Sequence, residues 1–219
     1  MSSDKPDVLM IVMRGDRRSE EYAKKSRKTW ERYGFNVEYF SAYTPETMPD
    51  YLDFSVRDKT KKTFQIEEKL NKKIEPYFSE TEKAVWYSHL EVWKYIIEQN
   101  KSYIVVEHDA ILKHDNFDCK ECYLRKLSRA ILQSVYLTPQ FLERWFSYFD
   151  NKPRLNPDGA IGNFLIAYDK GNRGTKFDKP LIHNYQNEVD LTPWPVFADW
   201  SESTIEHGLY NECLDDTDT

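Results

Sequence analysis

Residues 79–112 read SETEKAVWYSHLEVWKYIIEQNKSYIVVEHDAIL, and they hold the strongest structural signals in the chain. Ser79-Glu80-Thr81-Glu82 matches a capping box, in which the serine oxygen caps a backbone N–H and the glutamate reaches back to the serine's own. Trp86, Leu90, Trp93 and Ile97 then recur at steps of four, three and four. With Val85, Val92 and Ile96 beside them they form a broad apolar stripe, so the spacing predicts a core-facing helix ending at Asn100. Tyr103-Ile104-Val105-Val106 is a short unbroken apolar run, as expected of a strand buried on both faces. Glu107-His108-Asp109 stands at its carboxyl end. Residues two apart on a strand share a side, so Glu107 and Asp109 are expected to present their carboxylates together while His108 faces away.

Nearer the amino terminus, Asp7 to Met13 is a second such apolar run, stopped by Arg14-Gly15-Asp16. Ser19 to Tyr33 carries helix formers, and Gly34 sits where a helix C′ residue belongs. Phe35 to Phe40 alternates as a strand. The opening is therefore β-α-β, a parallel pair with a right-handed crossover. Residues 50–75 are charged and weakly periodic, read as a loop with one short helix. Gln133 to Leu137 reads as a strand, Thr138-Pro139 starts a helix running to about Asp150, and Lys152 to Gly159 is a loop. Phe164 to Tyr168 is read as a strand, and the C-terminal quarter as irregular, with short strands or turns. The pattern is an α/β fold with a mostly parallel central sheet.

The chain of 219 residues is 40% hydrophobic and 15% aromatic, far from a disordered composition, and is expected to form one domain over 1–219. Cys119-x-x-Cys122 and Cys213 are too few for a disulfide framework. Without a second matched pair, the half zinc site suggested by His114 gives way to free thiols. Acidic residues precede the first apolar run and no stretch reaches bilayer length, so the expectation is a soluble, cytoplasmic protein without a membrane span. The net charge of −6 hides polarity along the chain: Arg14–Arg32 and Arg57–Lys73 are basic, while Asn187–Thr219 has no Lys or Arg. That pattern reads as solvated faces plus an acidic tail, or as a basic cleft for an anion. Gly-x-Gly-x-x-Gly, Walker A and Gly-x-Ser-x-Gly patterns are absent, which removes support for dehydrogenase, P-loop and esterase readings.

Ligands of open α/β sheets bind beyond the carboxyl ends of the strands. Two ends carry chemistry: Arg14-Gly15-Asp16-Arg17-Arg18 and Glu107-His108-Asp109. A carboxylate pair suits Mg²⁺ or Mn²⁺ that completes its shell with substrate phosphates, although surface acids or a helix N-cap account for most such triplets. Arg14, Arg17 and Arg18 read equally as exposed loop charges or as partners of a diphosphate. His89 lies on a helix face with Val85, Val92 and Ile96, where a hydrogen-bonded core histidine is the plain reading. Trp86 and Trp93 read as core.

The 79–112 segment resembles glycosyltransferase family 25, the lipooligosaccharide-type galactosyltransferases and their collagen-modifying relatives. The resemblance is carried by Ser79 and Glu82, by Ser88-His89-Leu90, by Trp93, and by the apolar strand from Ile104 to Asp109. The first β-α-β unit, Val135-Tyr136-Leu137-Thr138-Pro139, Pro157-Asp158, Pro195-Val196 and Ser203-Thr204-Ile205 are similar to weaker motifs of that family. His108 departs from its Glu-Asp-Asp pattern, which puts metal dependence in question.

The resemblance implies a GT-A-like fold, with a nucleotide-sugar-binding half at 1–112 and an acceptor-side half at 113–219. It implies inverting transfer of a hexose or pentose from a UDP-type nucleotide sugar to a hydroxyl of a saccharide or of a hydroxymethylated DNA base. In that reading Glu107 and Asp109 hold a divalent cation, Arg14, Arg17, Arg18, Ser88 and His89 attend the nucleotide, and Asp158 is the general base. Asp190 and Asp199 are its runners-up, and His183 or His207 is a further metal ligand. The alternative is an inactive module of the same fold that binds sugar or a partner.

Overall fold

The computed structural model describes residues 5–54, 77–120, 122–128, 132–169, 181–182 and 194–198. Helix α1 (Arg17–Arg32) follows strand β1 (Asp7–Val12) and is capped by Asp16, whose side chain accepts from Ser19 N at 2.6 Å. It ends at Gly34, which takes φ +80°, the left-handed conformation that a helix C′ residue needs. Strand β2 (Val37–Ser41) lies parallel to β1. Helix α2 (Glu80–Glu98) starts in the capping box expected from sequence: Glu82 N donates to Ser79 Oγ at 3.2 Å, and Ser79 N donates to Glu82 Oε2 at 3.0 Å.

Strand β3 (Tyr103–Glu107) is followed by β4 (Ala110–Leu112), β5 (Leu124–Lys126), β6 (Ser134–Leu137), α3 (Pro139–Tyr148), α4 (Pro157–Asp169), β7 (Leu181–Ile182) and β8 (Val196–Ala198). The main sheet has the order β2-β1-β3-β6-β5-β7. Its pairings give five strands one direction, with β6 opposed. β3 is central, with Ile11 opposite Glu107 in register. β4 and β8 form a small antiparallel pair beside it.

Strand alternation divides the core in two. Leu9, Ile11 and Val105 face the layer of α2, α3 and α4, where Trp86, Trp93 and Trp145 are buried against one another; Trp93 and Trp145 meet edge-on at 4.8 Å. Val8, Met10, Ile104 and Val106 face the other layer, packed on Ala23 and Trp30 of α1. The tryptophans read as core are core, and each fully buried one contributes by the area it removes from water.

Three expectations need correction. Phe164 to Tyr168 is helix, not strand, and the expected loop 152–159 stops at Asn156. The helix begins there because Asn156 Oδ1 accepts from Gly159 N at 2.9 Å, and Pro157 occupies a first-turn position where its missing N–H costs nothing. Ile161, Phe164 and Leu165 are then buried at i, i+3 and i+4. The strand through Glu107 also stops at that residue; His108 and Asp109 form a turn into β4. The loop with one short helix expected over 50–75 lies largely outside the described residues, as do Cys213, Asp190, Asp199, His183, His207 and Ser203-Thr204-Ile205.

Candidate active site

The carboxyl ends of β1, β2 and β3 meet at one edge of the sheet. Met13 to Arg18 leave β1 in a turn that requires Gly15 at φ +84°. Short-range bonds fix it: Met13 N donates to Ser19 Oγ at 3.1 Å and Gly15 N to Glu20 Oε1 at 3.1 Å. Arg14, Arg17 and Arg18 are exposed on this frame. The Arg14 guanidinium lies 5.2 Å from the centre of the Tyr39 ring, a cation–π contact that holds it over β2. Arg17 pairs with Glu21 one turn on at 2.8 Å, with a side chain 91% exposed, so it points along α1 rather than across the strand ends.

Glu107 and Asp109 flank the turn at the end of β3. Glu107 N donates to Gln133 O at 3.2 Å, which joins this point to β6. The Glu107 carboxylate faces α2, where His89 Nε2 lies 3.7 Å from Oε1. His108 faces the opposite layer, its ring 6.4 Å from that of Tyr22 on α1. Glu107 and His108 thus separate as alternation requires, whereas Asp109 is placed by the turn and by the bonds of the next few residues. The adjacent carbonyl, Ala110 O, accepts from Ser26 Oγ at 2.6 Å and from Trp30 Nε1 at 2.9 Å, both buried. Leu112 N donates to Thr29 Oγ1 at 3.0 Å. Asp109 is half-buried, with Oδ1 inside the protein. Burial pushes the His108 imidazole below its ordinary pKa against the opposing pull of Glu107 and Asp16, with Arg18 adding to the fall.

Ser88 and His89 lie beneath this surface, 2% and 1% exposed. The Ser88 hydroxyl donates to Ala84 O and accepts from Tyr43 N, each at 2.8 Å, tying the segment after β2 to α2. Trp86 Nε1 donates to Leu155 O at 2.9 Å and brings the start of α4 beside the first half of α2. Asp158 is therefore in the first turn of a helix anchored to that half. Tyr39, Tyr43, Ser26 and Trp30 all support the site and carry no signal of it in the sequence, since their partners lie up to 84 residues away with no local signature.

Cys119 and Cys122 are buried and reduced, and burial raises the Cys119 thiol pKa. A concavity of about 580 Å³ opens at the other end of the sheet, between Lys5, Phe35, Lys101, Phe117, Lys120 and Tyr136. Ion pairing occupies Lys5 and Lys101 there, with Asp115 and Asp7 respectively. Among the described residues, no group of three or more His, Cys, Asp or Glu side chains forms a metal cage, and no helix is long and apolar enough to cross a membrane.

The model of a family described as "Glycosyltransferase family 25 (LPS biosynthesis protein)" matches residues 8–151. No curated protein matches the sequence. Among solved structures, the chain is similar to a glycosyltransferase involved in the glycosylation of the major capsid of PBCV-1, at 10% identity and a TM-score of 0.35, with 82% of each chain covered.

Proposed function

The chain belongs to glycosyltransferase family 25, and accordingly we propose that it moves a sugar from a nucleoside diphosphate donor to a hydroxyl of an acceptor saccharide, inverting the anomeric centre. The observation that carries this reading is the position of Arg14, Arg18, Glu107 and Asp109 at or just beyond the carboxyl ends of the adjacent parallel strands β1 and β3, where ligands of such sheets bind. Arg14 and Arg18 take the donor diphosphate, their planar forks matching its oxygens. Arg17, paired with Glu21 along α1, takes no part in holding the donor.

Two carboxylates at the β3 turn do not make a closed cage, but they match the way Mg²⁺ and Mn²⁺ bind through one or two carboxylates plus substrate phosphates. Glu107 and Asp109 would hold such a cation, which when bound offsets the charge that develops on the departing diphosphate. Asp158, in the first turn of α4, takes the proton from the acceptor hydroxyl as the new glycosidic bond forms, giving one displacement with the diphosphate leaving from the opposite face. Ser88 fixes the Tyr43 backbone next to this surface and acts from below it.

The decisive experiment incubates the protein with a panel of nucleotide sugars, with and without Mn²⁺, and measures release of nucleoside diphosphate. Turnover of one donor, stimulated by acceptor, supports the transferase reading. Binding of a donor with no turnover under any condition would support a module that recognises sugar without transferring it.

A hydroxymethylated DNA base is the second acceptor reading, favoured by one observation: Arg17, Arg18, Lys24, Lys25, Lys28 and Arg32 are all exposed along α1, next to the site. Phosphate neutralisation by that helix predicts DNA binding that falls steeply with salt. The overall charge of −6 weighs against it.

A further inference from the structure

We infer that the outer surface of α1, β4 and β8 is a docking track for single-stranded nucleic acid, with phosphates on the cations of α1 and a base on the ring of Phe197. The inference rests on the nucleic-acid reading of the acceptor for the strand's purpose there, and deepens it by assigning the surface and the form of the chain.

At 3.6 residues per turn, Arg17, Arg18, Lys24, Lys25, Lys28 and Arg32 fall within about 120° of arc on α1. Ser19, Ala23, Ser26 and Trp30, all buried, occupy the opposite side. Glu21 is the acid inside that arc, and it is paired with Arg17. Lys24, Lys25, Lys28 and Arg32 are exposed and make no ion pair among the described residues. Like charges at i and i+4, as in Lys24, Lys28 and Arg32, repel and weaken a helix. The exposed lysines of α2 are arranged differently, Lys83 pairing with Glu80 and Lys94 with Glu91. α1 thus keeps a stripe of one sign that its own stability does not call for. Nine of the 37 acidic residues lie in 187–219, leaving 28 acids against 31 Lys and Arg over residues 1–186. The net charge of −6 therefore does not describe the part of the chain that carries this stripe.

The stripe has an aromatic neighbour. α1 lies along one edge of β4, with Ser26 and Trp30 on Ala110 O and Thr29 on Leu112 N, and β8 pairs along the other. Alternation turns Ala110, Leu112 and Val196 into the core beneath α1, and turns Ile111 and Phe197 away from it. Phe197 is 57% exposed, with Lys113 Nζ 5.7 Å from its ring centre. An exposed cation–π contact is weaker than a base stacked on an aromatic ring, so a base takes the ring and releases the ammonium to a phosphate. Bases in a duplex stack on one another and offer Phe197 no face, which selects a single strand. An anionic membrane fits less well, because helices that lie on a bilayer insert an apolar face and that of α1 is buried in the core. The track runs to the candidate active site, since Tyr22 of α1 lies beside His108.

The test measures binding of a fluorescein-labelled oligothymidylate of about 16 nucleotides, the upper end of a single-strand site, by anisotropy across a salt series without donor. Log K should fall against log salt with a slope of about −3, as four phosphate contacts on a single strand give. The triple variant Lys24→Gln, Lys25→Gln, Lys28→Gln, folded by circular dichroism, should flatten that slope by about 2. Phe197→Leu should weaken single-strand binding roughly tenfold at an unchanged slope, whereas Phe197→Trp should keep it. No binding of the oligothymidylate, or a slope that survives the triple substitution, overturns the proposal. So does a duplex that binds more tightly than the single strand, or equal weakening by Phe197→Leu and Phe197→Trp. Binding to phosphatidylserine vesicles that exceeds binding to the oligonucleotide assigns the stripe to a membrane surface and also overturns it. The acceptor reading is tested apart, by adding an oligonucleotide with hydroxymethylated bases to the donor assay. An oligonucleotide that binds on this track without stimulating release of nucleoside diphosphate removes DNA as acceptor and leaves the docking surface in place.

Discussion

Both ends of the central sheet carry clustered charge, and the two clusters differ in how the charge is used. At the amino ends of β1 and β3, Lys5 Nζ donates to Asp115 Oδ2 at 2.5 Å and to Tyr33 O at 2.6 Å, and Lys101 pairs with Asp7. These contacts join segments up to 110 residues apart and act as clasps. At the carboxyl ends, the frame is set by backbone and helix-cap bonds: Asp16, Ser19 and Glu20 shape the Arg14–Arg18 turn, and Ser26 with Trp30 pins the carbonyl after Asp109. The arginines stand exposed on that frame. A charged concavity is therefore not by itself a site. What distinguishes one is a rigid scaffold that does not need the functional charges to hold itself together.

The largest effect is expected at the carboxyl ends. Asp109→Asn keeps shape and removes charge, and if these ends form the site it should lower turnover by about 10²- to 10³-fold. Circular dichroism should show an intact fold. A folded variant retaining more than about a tenth of wild-type turnover would remove Asp109 from the site. The arginines refine the contrast within one turn. Arg18→Ala should raise the KM for the donor by about tenfold, the worth of one hydrogen bond to a charged group. Arg17→Ala should leave it unchanged, because that side chain lies along α1; a loss equal to that of Arg18→Ala would show that exposure, not direction, governs donor binding.

Smaller effects are expected where the frame itself is touched. Ser26→Ala removes one of two donors to Ala110 O and should destabilise the fold by about 1 kcal/mol in urea titration, since the carbonyl keeps Trp30. An unchanged midpoint would show that Trp30 alone holds the turn. The clasp at the far end should matter least and only for stability. The Lys5 ammonium, by its hydrogen bond and charge, holds the Asp115 carboxyl below the usual carboxylate range. A depressed carboxylate pKa stabilises the fold above the unfolded value of about 3.9 and ceases to do so as pH falls through the folded value. Asp115→Asn should therefore cost up to about 1 kcal/mol at pH 7, as a partly exposed pair does. The difference from wild type should close in acid below about pH 3, and turnover at pH 7 should not change. A difference that persists undiminished in acid would show that shape rather than charge joins the two segments.

The sequence announces some of this architecture and conceals the rest for identifiable reasons. Ser79, Glu82 and the Trp86–Ile97 stripe are local signals, and the helix they predict is present with its capping box intact. The apolar runs before Arg14 and Glu107 are equally legible as central parallel strands. The run Phe164 to Tyr168 reads as strand because a short, mostly apolar run fits either period. The Asn156-Pro157 start signal that resolves it sits eight residues earlier, inside a segment that reads as a loop. Strands β4, β5 and β8 have three residues each, too short for alternation to register. In the site, residue types are legible while their supports are not: nothing near Glu107 in sequence indicates that His89 faces it, and nothing near Tyr43 indicates Ser88.

Amide hydrogen exchange separates the two ends of the sheet without any substitution, when it is recorded in Mn²⁺ with and without the nucleoside diphosphate that the donor screen returns. If the carboxyl ends of β1 and β3 form the donor site, protection should rise in Met13–Ser19 and in Glu107–Leu112 and stay unchanged across Asp115–Lys120. Protection confined to Asp115–Lys120 and the amino end of β1, with none at Met13–Ser19, would place the nucleotide in the opposite concavity and overturn the assignment of the site.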